Sequence, residues 1–171
     1  MNFIRRIPFP FSQKMDFSTA KDIFKKSCYH KINYKINKND NVQRAVVRFA
    51  ANDISCLAVI DDDNRFIGLF SERDFIKRVA SSEKESAAIQ IKEVCTRVPN
   101  IVIAKATDSL DDCIRKIHMK NTRHLVLMDD LNQEIEGLIS INDLFRENKN
   151  RFVFCHKLNS PTFFYVHKNE Y

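Results

Sequence analysis

The stretch that decides the fold is a seven-residue motif that the chain carries twice, as Gly68-Leu69-Phe70-Ser71-Glu72-Arg73-Asp74 and as Gly137-Leu138-Ile139-Ser140-Ile141-Asn142-Asp143. The 171-residue chain contains 2 glycines, and each of them opens one copy of this motif. Glycine is favoured where the backbone takes a conformation that other residues avoid, or where another group approaches the backbone closely. Two glycines in matching contexts therefore predict one backbone requirement that is met twice.

The similarity between the two halves extends outward from the motif, which distinguishes a repeat from a coincidence. The second copy has one extra residue before Gly137, and we expect this insertion to lie in a turn. The sequence therefore predicts two copies of one fold unit within residues 20–148. The matched stretches are 21–24 with 92–95, 42–49 with 110–117, and 57–62 with 125–130.

Each copy is predicted to fold as strand, helix, strand, strand, helix. Apolar residues at helical spacing indicate the first helix of each copy, with Thr107 or Asp108 as the N-cap in the second copy. Short apolar runs bounded by polar turns indicate the strands. The predicted elements are residues 32–36, 42–51, 57–60, 66–70 and 71–79 in the first copy, and 101–104, 110–117, 124–128, 135–139 and a helix from Ser140 in the second.

This order of elements predicts an α+β fold of two pseudo-symmetric units, residues 20–80 and 91–148, joined by a polar linker at 81–90. Units of this size bury too little apolar surface to be stable alone, so we expect them to pack together, sheet to sheet. They are flanked by a basic leader at 1–19 and by a short aromatic C-terminal extension at 149–171.

The two flanking segments leave alternatives open. The leader contains arginine and no acid before Asp16, which suits either a mitochondrial targeting sequence or a disordered leader, and its prolines disfavour the helix of a targeting signal. Residues 151–155 and 162–166 are predicted to form a hairpin that packs on its own domain or on a partner. Stacking of single-stranded nucleic acid on this segment is the alternative. The expected location is mitochondrial or cytoplasmic.

Composition and motifs exclude several classes of protein. The net charge is +6, but the excess of basic residues lies outside the repeated region, which disfavours nucleic acid as a partner. No apolar run reaches the roughly 18 residues that a membrane-spanning helix needs. The 5 cysteines form no Cys-x-x-Cys pair and are predicted to be small buried side chains in a reducing compartment. A glycine-rich phosphate loop and a nucleophile elbow are both absent from the sequence, so no catalytic residues are predicted.

The doubled motif, with Thr122-Arg123-His124-Leu125 before the second hairpin, resembles the cystathionine-β-synthase (CBS) domain. Two such domains in tandem form a CBS pair, or Bateman module, and the resemblance covers residues 20–148. The chain is similar to the small stand-alone CBS-pair proteins of organelles and bacteria. The resemblance implies a homodimer, a regulated partner protein, and a ligand such as AMP, ADP or ATP, or S-adenosylmethionine or NAD, in clefts between the units.

The motif offers groups that suit such a ligand. A glycine lets a sugar or base approach the backbone, and a serine that starts a helix can meet a phosphate. The following aspartate can accept hydrogen bonds from ribose hydroxyls. The resemblance implies these phosphate and ribose roles. It also implies basic groups that neutralise the phosphate, and the candidates are Arg73 and Arg123, followed by His124. The predicted binding residues are Gly68, Ser71, Arg73, Asp74, Arg123, His124, Gly137, Ser140 and Asp143.

The same serines and aspartates also have a purely structural interpretation. Ser-x-x-Asp before an apolar run is a variant of the capping box, and a serine N-cap stabilises a helix by about 1 kcal/mol without any ligand. Two hypotheses follow: a non-catalytic regulatory module that binds an adenosine-containing ligand, or a constitutive interaction module that binds none. The two copies also differ, because Asn142 stands where the first copy has Arg73.

Two groups of residues invite a metal-binding interpretation that we do not adopt. The carboxylates at Asp61-Asp62-Asp63 and in the turn 129–136 are predicted to be solvated turns. Cys28-Tyr29-His30 and Cys155-His156 would form a zinc site only if the fold brought them together. No metal ligands are therefore predicted.

Overall fold

The computed structural model describes residues 18–129 and 134–158. No helix within these ranges is long and apolar enough to cross a membrane. The elements in chain order are α1 (Ala20–Lys26), a 3₁₀ helix (Cys28–Lys31), β1 (Lys35–Asn37), α2 (Val42–Asn52), β2 (Cys56–Ile60), β3 (Phe66–Ser71), α3 (Glu72–Arg78), α4 (Ile91–Val94), β4 (Thr96–Arg97), β5 (Ile103–Lys105), α5 (Leu110–Lys120), β6 (His124–Met128), β7 (Ile135–Ser140) and α6 (Ile141–Leu158).

The strands form two sheets with the same internal arrangement. The first sheet has the order β1-β2-β3-β4 and the second has the order β5-β6-β7. In each copy the first strand is parallel to the second, and the second is antiparallel to the third. A register shift falls at the same place in both copies, between Val59 and Ile60 and between Leu127 and Met128. The predicted repeat and the predicted α+β fold are thus confirmed down to a local irregularity.

The central strand of each copy is buried on both faces, which explains its continuous apolar sequence. The two strands start next to each other, since Ser55 Oγ lies 3.1 Å from Nε2 of His124. One apolar core includes residues from both copies, as expected for two small units that pack together. The fully buried residues at the centre of β2 and β6 are Leu57, Ala58, Val59, Leu125, Val126 and Leu127.

The N-cap of α5 is Ser109, so the predicted Thr107 or Asp108 is wrong. The Ser109 hydroxyl accepts a hydrogen bond from the Asp112 N–H at 3.1 Å and donates one to the Asp112 carboxylate at 2.6 Å. The Asp108 carboxylate instead accepts a hydrogen bond from the N–H of Lys105, three residues earlier, at 2.9 Å. Helix α5 begins at Leu110, where the predicted range 110–117 also begins, so only the identity of the cap is wrong.

The short helices that open the two copies, α1 and α4, are exchanged between them. Helix α1 packs against α5, α6 and β7 of the second copy, whereas α4 packs against α3, and β4 pairs with β3, in the first. Matching backbone hydrogen bonds hold the two exchanged helices: Ala20 N–H donates to Asp108 O at 2.8 Å, and Ile91 N–H donates to Asp40 O at 2.9 Å. Each copy is therefore completed by a segment that belongs to the other half of the sequence.

The first strand of each copy is shorter than predicted. Ladder pairing covers Lys35–Asn37 and Ile103–Lys105 rather than the predicted ranges 32–36 and 101–104. These strands pair with residues 58–60 and 126–128, so each lies later in the sequence than predicted and is shorter.

The predicted strand at residues 151–155 is wrong, because α6 continues through Leu158. Neither glycine nor proline interrupts the sequence between residues 141 and 158, so the helix meets no residue that would end it. The second predicted strand, 162–166, and the basic leader up to residue 17 lie outside the described residues. The proposed roles of these two segments stay predictions.

Candidate functional site

Both glycines are required by close packing within the protein. Neither has a positive φ. A Cβ atom added to Gly68 would lie 2.6 Å from the carbonyl oxygen of Thr96, and one added to Gly137 would lie 2.6 Å from the ring of Phe24. Thr96 and Phe24 belong to the two exchanged segments. The close approach that the sequence suggested for a ligand is thus made by the chain itself at both glycines.

The serine and aspartate of the first motif form a capping box at the start of α3. The Asp74 Oδ2 atom accepts hydrogen bonds from the Ser71 N–H at 3.0 Å and from the Ser71 hydroxyl at 2.6 Å, and Asp74 N–H donates to Ser71 Oγ at 3.3 Å. The structural interpretation of this motif is therefore confirmed. The capping box uses only Oδ2 of the Asp74 carboxylate and leaves Oδ1 for other donors.

The second oxygen of Asp74 holds the exchanged segment. Thr96 Oγ1 donates a hydrogen bond to Asp74 Oδ1 at 2.8 Å, and Arg78 lies 3.8 Å from the same oxygen. A carboxylate offers about four acceptor positions, and the described hydrogen bonds from Ser71 and Thr96 use three of them. One position on Oδ1 is left for a further donor.

The second copy repeats this arrangement in a more enclosed form. Asp143 Oδ2 accepts hydrogen bonds from the Ser140 N–H at 2.8 Å, from the Ser140 hydroxyl at 2.6 Å and from the Ser27 hydroxyl at 3.0 Å. Ser27 comes from the segment after α1, just as Thr96 comes from the segment after α4. The side chain of Asp143 is 3% exposed, compared with 12% for Asp74. Asp74 is thus the more accessible of the two carboxylates.

A cavity of about 180 Å³ lies beside Asp74, between the two copies, and is called the Asp74 cavity below. Its walls come from the β3–α3 junction, the segment after α4, and the turn between α5 and β6. A larger groove of about 410 Å³ runs between α5 and α6 and shares four residues with it, Arg73, Asn121, Thr122 and Arg123. The residues lining the Asp74 cavity are Cys56, Leu69, Ser71, Arg73, Asp74, Thr96, Asn100, Ile101, Val102, Lys120, Asn121, Thr122, Arg123 and His124.

Two arginines at this cavity are available for an anion. Arg73 and Arg123 are exposed, and neither side chain has a hydrogen bond or ion pair with another residue in the described parts of the chain. The nearby Arg78 is different, since it donates hydrogen bonds to the carbonyls of Val94 and Cys95, each at 2.8 Å. Unpaired guanidinium groups beside one cavity favour a phosphate-bearing ligand, which arginine can bind through two parallel hydrogen bonds.

His124 is brought to the cavity but does not carry the charge that the sequence suggested. Burial lowers the pKa of His124 to about 4, and the positive charge of Arg123 acts in the same direction. The imidazole is therefore neutral at pH 7 and can offer a phosphate only a hydrogen bond. Whether His124 contacts a phosphate stays a prediction.

The reactive groups at the cavity are held in unreactive forms. Burial raises the pKa of the Cys56 thiol, and the charge of Asp74 raises it further. A protonated thiol is a poor nucleophile, and the neighbouring His124 is bonded to the Ser55 hydroxyl rather than to the sulfur. This chemistry suits binding better than catalysis.

Metal ligands do not come together in the described part of the chain. No group of three or more His, Cys, Asp or Glu side chains there could hold a metal ion, and Cys28 and His30 belong to no such group. The side chains of Cys155 and His156 lie outside the described residues. In the carboxylate run at Asp61, the side chain accepts hydrogen bonds from the N–H and the guanidinium of Arg65, which identifies this run as a turn.

The sequence prediction missed Thr96 and Ser27, which hold the two aspartates. The repeat contains a signal for both residues, because Ser27 and Thr96 are 69 residues apart, as are Asp74 and Asp143. The match of 21–24 with 92–95 has a spacing of 71 residues, so it does not pair these two hydroxyl residues. Lys120 and Asn121, at the end of α5, were also missed and line the Asp74 cavity.

Comparisons with known proteins agree with the geometry. The family described as "CBS domain" matches residues 20–81 and 91–150. The inosine-5'-monophosphate dehydrogenase of Nitrosopumilus maritimus is 29% identical over 111 residues, covering 65% of this chain and 21% of that enzyme. The chain spans less than half the length of the first curated relatives that it matches.

Solved structures show the same fold. The CBS domain protein NE2398 has a TM-score of 0.68 at 28% identity, covering 78% of this chain and 98% of that one. The CBS domain pair of MJ0100, solved in complex with 5'-methylthioadenosine and S-adenosyl-L-methionine, has a TM-score of 0.66 at 21% identity, covering 79% of this chain and 98% of that one.

Proposed function

The chain belongs to the CBS domain family as a tandem pair, and from that premise we propose that it binds an adenosine-containing ligand in the Asp74 cavity. The candidate ligands are AMP, ADP and ATP, followed by NAD and S-adenosylmethionine. The protein is then a non-catalytic regulatory module whose ligand state is read by a partner protein.

The observation that carries this proposal is that two arginines without a partner among the described residues line the same cavity as a carboxylate that has an acceptor position left. Arg73 and Arg123 come from different copies and line the same cavity as Asp74. A ribose hydroxyl can donate to the remaining acceptor position of Asp74, while a phosphate meets the two guanidinium groups. Because a nucleotide carries both groups a few ångströms apart, it matches this arrangement better than either a sugar or inorganic phosphate.

The space available supports a ligand of nucleotide size. Ligand sites commonly have volumes of about 300–1,000 Å³ and combine apolar walls with a few polar groups. The Asp74 cavity adjoins the groove of about 410 Å³ between α5 and α6, with which it shares four lining residues, and a nucleotide could extend from one to the other. The MJ0100 pair, which has the same fold, was solved with 5'-methylthioadenosine and S-adenosyl-L-methionine, and this supports an adenosyl ligand as the class to test here.

Regulation would follow from the position of the ligand between the two copies. A ligand held by Asp74 and Arg73 on one side and by Arg123 on the other links the β3–α3 junction to the turn after α5. Such a link stabilises one relative arrangement of the copies, and a partner that binds this arrangement would be favoured by the ligand.

A homodimer is the second part of the proposal. Ile76 on α3 and Phe145 on α6 occupy the same position in the two copies, and they are 63% and 64% exposed. Two large apolar side chains in repeated positions give a pseudo-symmetric surface, which a second copy of the chain can cover in a two-fold interface.

The alternative is a constitutive interaction module in which the motif only caps helices. The capping boxes at both sites support this alternative as well as the first. Thermal melting of the purified protein with each of the five candidate ligands separates them. A ligand at about 100 times its Kd is expected to raise the melting temperature by about 5 °C or more. If all five leave it unchanged, the alternative is favoured.

The control for such a shift is a pair of arginine variants. Arg73→Ala is expected to remove about half of the shift or more, because it deletes a phosphate contact without touching the capping box. Arg44→Ala, on α2, deletes a surface arginine that pairs with Asp40 and is absent from the cavity walls, and it should keep the full shift. Equal losses in both variants would indicate non-specific binding of anions.

A further inference from the structure

A buried aromatic side chain, Tyr29, lies next to the motif of the second copy. It lies in the 3₁₀ helix Cys28–Lys31 and is 2% exposed. Its ring meets the ring of His124 edge-on, with 6.3 Å between the centroids and 88° between the planes. The tyrosine is therefore inserted at the start of β6, next to the second motif.

The neighbours of Tyr29 are the repeat counterparts of residues that line the Asp74 cavity. Burial raises the pKa of Tyr29, with contributions from Cys56 and Asp143, while a hydrogen bond from the backbone of Ser55 opposes the rise. In the repeat, Cys56 and His124 are counterparts of each other, Asp143 corresponds to Asp74, and Ser55 corresponds to Arg123. Each of these counterparts lines the Asp74 cavity.

The path of the chain explains why only one copy receives such a side chain. Thr96, which holds Asp74, continues as strand β4 along the edge of β3. Ser27, which holds Asp143, instead caps the 3₁₀ helix, and its hydroxyl accepts a hydrogen bond from the Tyr29 N–H at 3.2 Å. The same hydroxyl position thus opens a strand in one copy and turns an aromatic side chain inward in the other.

The second site also lacks three basic residues of the first. The counterparts of Arg73, Arg123 and Lys120 are Asn142, Ser55 and Asn52, so three basic residues become three neutral ones. A phosphate at the second site would therefore lose the attraction that the Asp74 cavity supplies.

We propose that Tyr29 is a built-in occupant of the second site, so that each chain binds one nucleotide, in the Asp74 cavity. This proposal rests on the proposed function for its nucleotide, but the filled second site does not depend on it. The two repeats have then diverged into one ligand site and one site closed by the chain's own phenol ring.

Stoichiometry tests the first half of this proposal on the unmodified chain. Isothermal titration with whichever of AMP, ADP or ATP binds is expected to give one nucleotide per chain. Arg73→Ala is expected to weaken that single event by about tenfold or more, because it removes a charge-assisted contact. Two nucleotides per chain would overturn the proposal while leaving the proposed function intact.

Chemical rescue tests the second half without any nucleotide. Tyr29→Ala leaves an enclosed space shaped like a phenol ring, and such spaces bind small aromatic molecules. With p-cresol at ten times its Kd, the melting temperature of this variant is expected to rise by about 3 °C. Tyr29→Phe keeps the ring and is expected to show no rise, as is the unmodified chain.

The two tests separate the possible failures. If p-cresol stabilises Tyr29→Ala but no nucleotide binds the unmodified chain, the proposed function fails and the occupied second site stands. If Tyr29→Ala folds and p-cresol does not stabilise it, Tyr29 is not the occupant of a ligand-sized site. If Tyr29→Ala does not fold, the stoichiometry of the unmodified chain decides the proposal.

Discussion

Lowering the pH from 6.5 to 5 is expected to destabilise this protein through His124. Its pKa falls from a model-compound value of 6.5 to about 4 in the folded state, chiefly because the ring is buried. Between these values the unfolded chain binds a proton that the folded chain does not, so stability falls as the pH falls below 6.5 and the effect is complete below about 4. Each unit of pH across this window costs about 1.4 kcal/mol, so the loss between pH 6.5 and 5 is about 2 kcal/mol.

Urea unfolding at pH 6.5 and at pH 5, monitored by circular dichroism, measures this loss directly. The comparison variant is His124→Gln, whose amide can still hydrogen-bond to the Ser55 hydroxyl but does not titrate. Carboxylates and the other histidines contribute equally to both proteins, so the difference between the two pH dependences belongs to His124. The reasoning is refuted if the variant loses as much stability as the unmodified chain over the same interval.

Three further predictions follow from the packing. Gly68→Ala and Gly137→Ala should each lower stability by about 1–3 kcal/mol, because the new Cβ would lie 2.6 Å from Thr96 O or from the Phe24 ring. Adding Phe24→Leu should restore part of the stability of Gly137→Ala but none of that of Gly68→Ala. Urea titration of the two double variants measures this, and recovery in both or in neither would contradict the observed contacts. Ser109→Ala should cost about 1 kcal/mol through loss of the α5 cap, whereas Thr107→Ala should cost much less; equal costs would contradict the observed cap. Phe145→Glu and Ile76→Glu should convert a homodimer to monomers in light scattering after gel filtration, and an unchanged mass for both variants would place the interface elsewhere.

The sequence predicted those parts of the fold that are written in local patterns. The apolar runs at β2 and β6, the helical spacing at α2 and α5, and the doubled Ser-x-x-Asp were sufficient for the repeat and for the capping boxes. These features depend on residues within a few positions of one another. Periodicity and capping chemistry therefore identify them without knowledge of the tertiary structure.

The features that the sequence did not predict depend on contacts between distant residues. The exchange of α1 and α4 is decided by which sheet edge each helix can cover, and no local pattern records that choice. The role of the glycines was mistaken for the same reason, since Gly137 is constrained by Phe24, more than a hundred residues earlier. The neutral state of His124 is likewise a consequence of burial between the copies, which composition does not reveal.

The candidate site was predicted in its chemistry but not in its asymmetry. Asp74, Arg73 and Arg123 do line one cavity, as the doubled motif indicated. The sequence showed one difference between the copies, Asn142 in place of Arg73. A further difference comes from Tyr29, a buried aromatic residue in a short 3₁₀ helix outside the motif, and its position depends on the path of the chain after Ser27, which no local sequence pattern records.

The measurement that tests the central claim most directly is isothermal titration of adenine nucleotides into the unmodified chain, Arg73→Ala, Arg123→Ala and the control Arg44→Ala. The account predicts that one nucleotide binds the unmodified chain and the control with equal affinity. It also predicts that each cavity arginine variant binds that nucleotide about 10–100-fold more weakly, the effect expected for a lost contact of about 1.5–3 kcal/mol to a charged group. Binding that is unchanged in both cavity variants, or absent for every nucleotide in a folded protein, would contradict it.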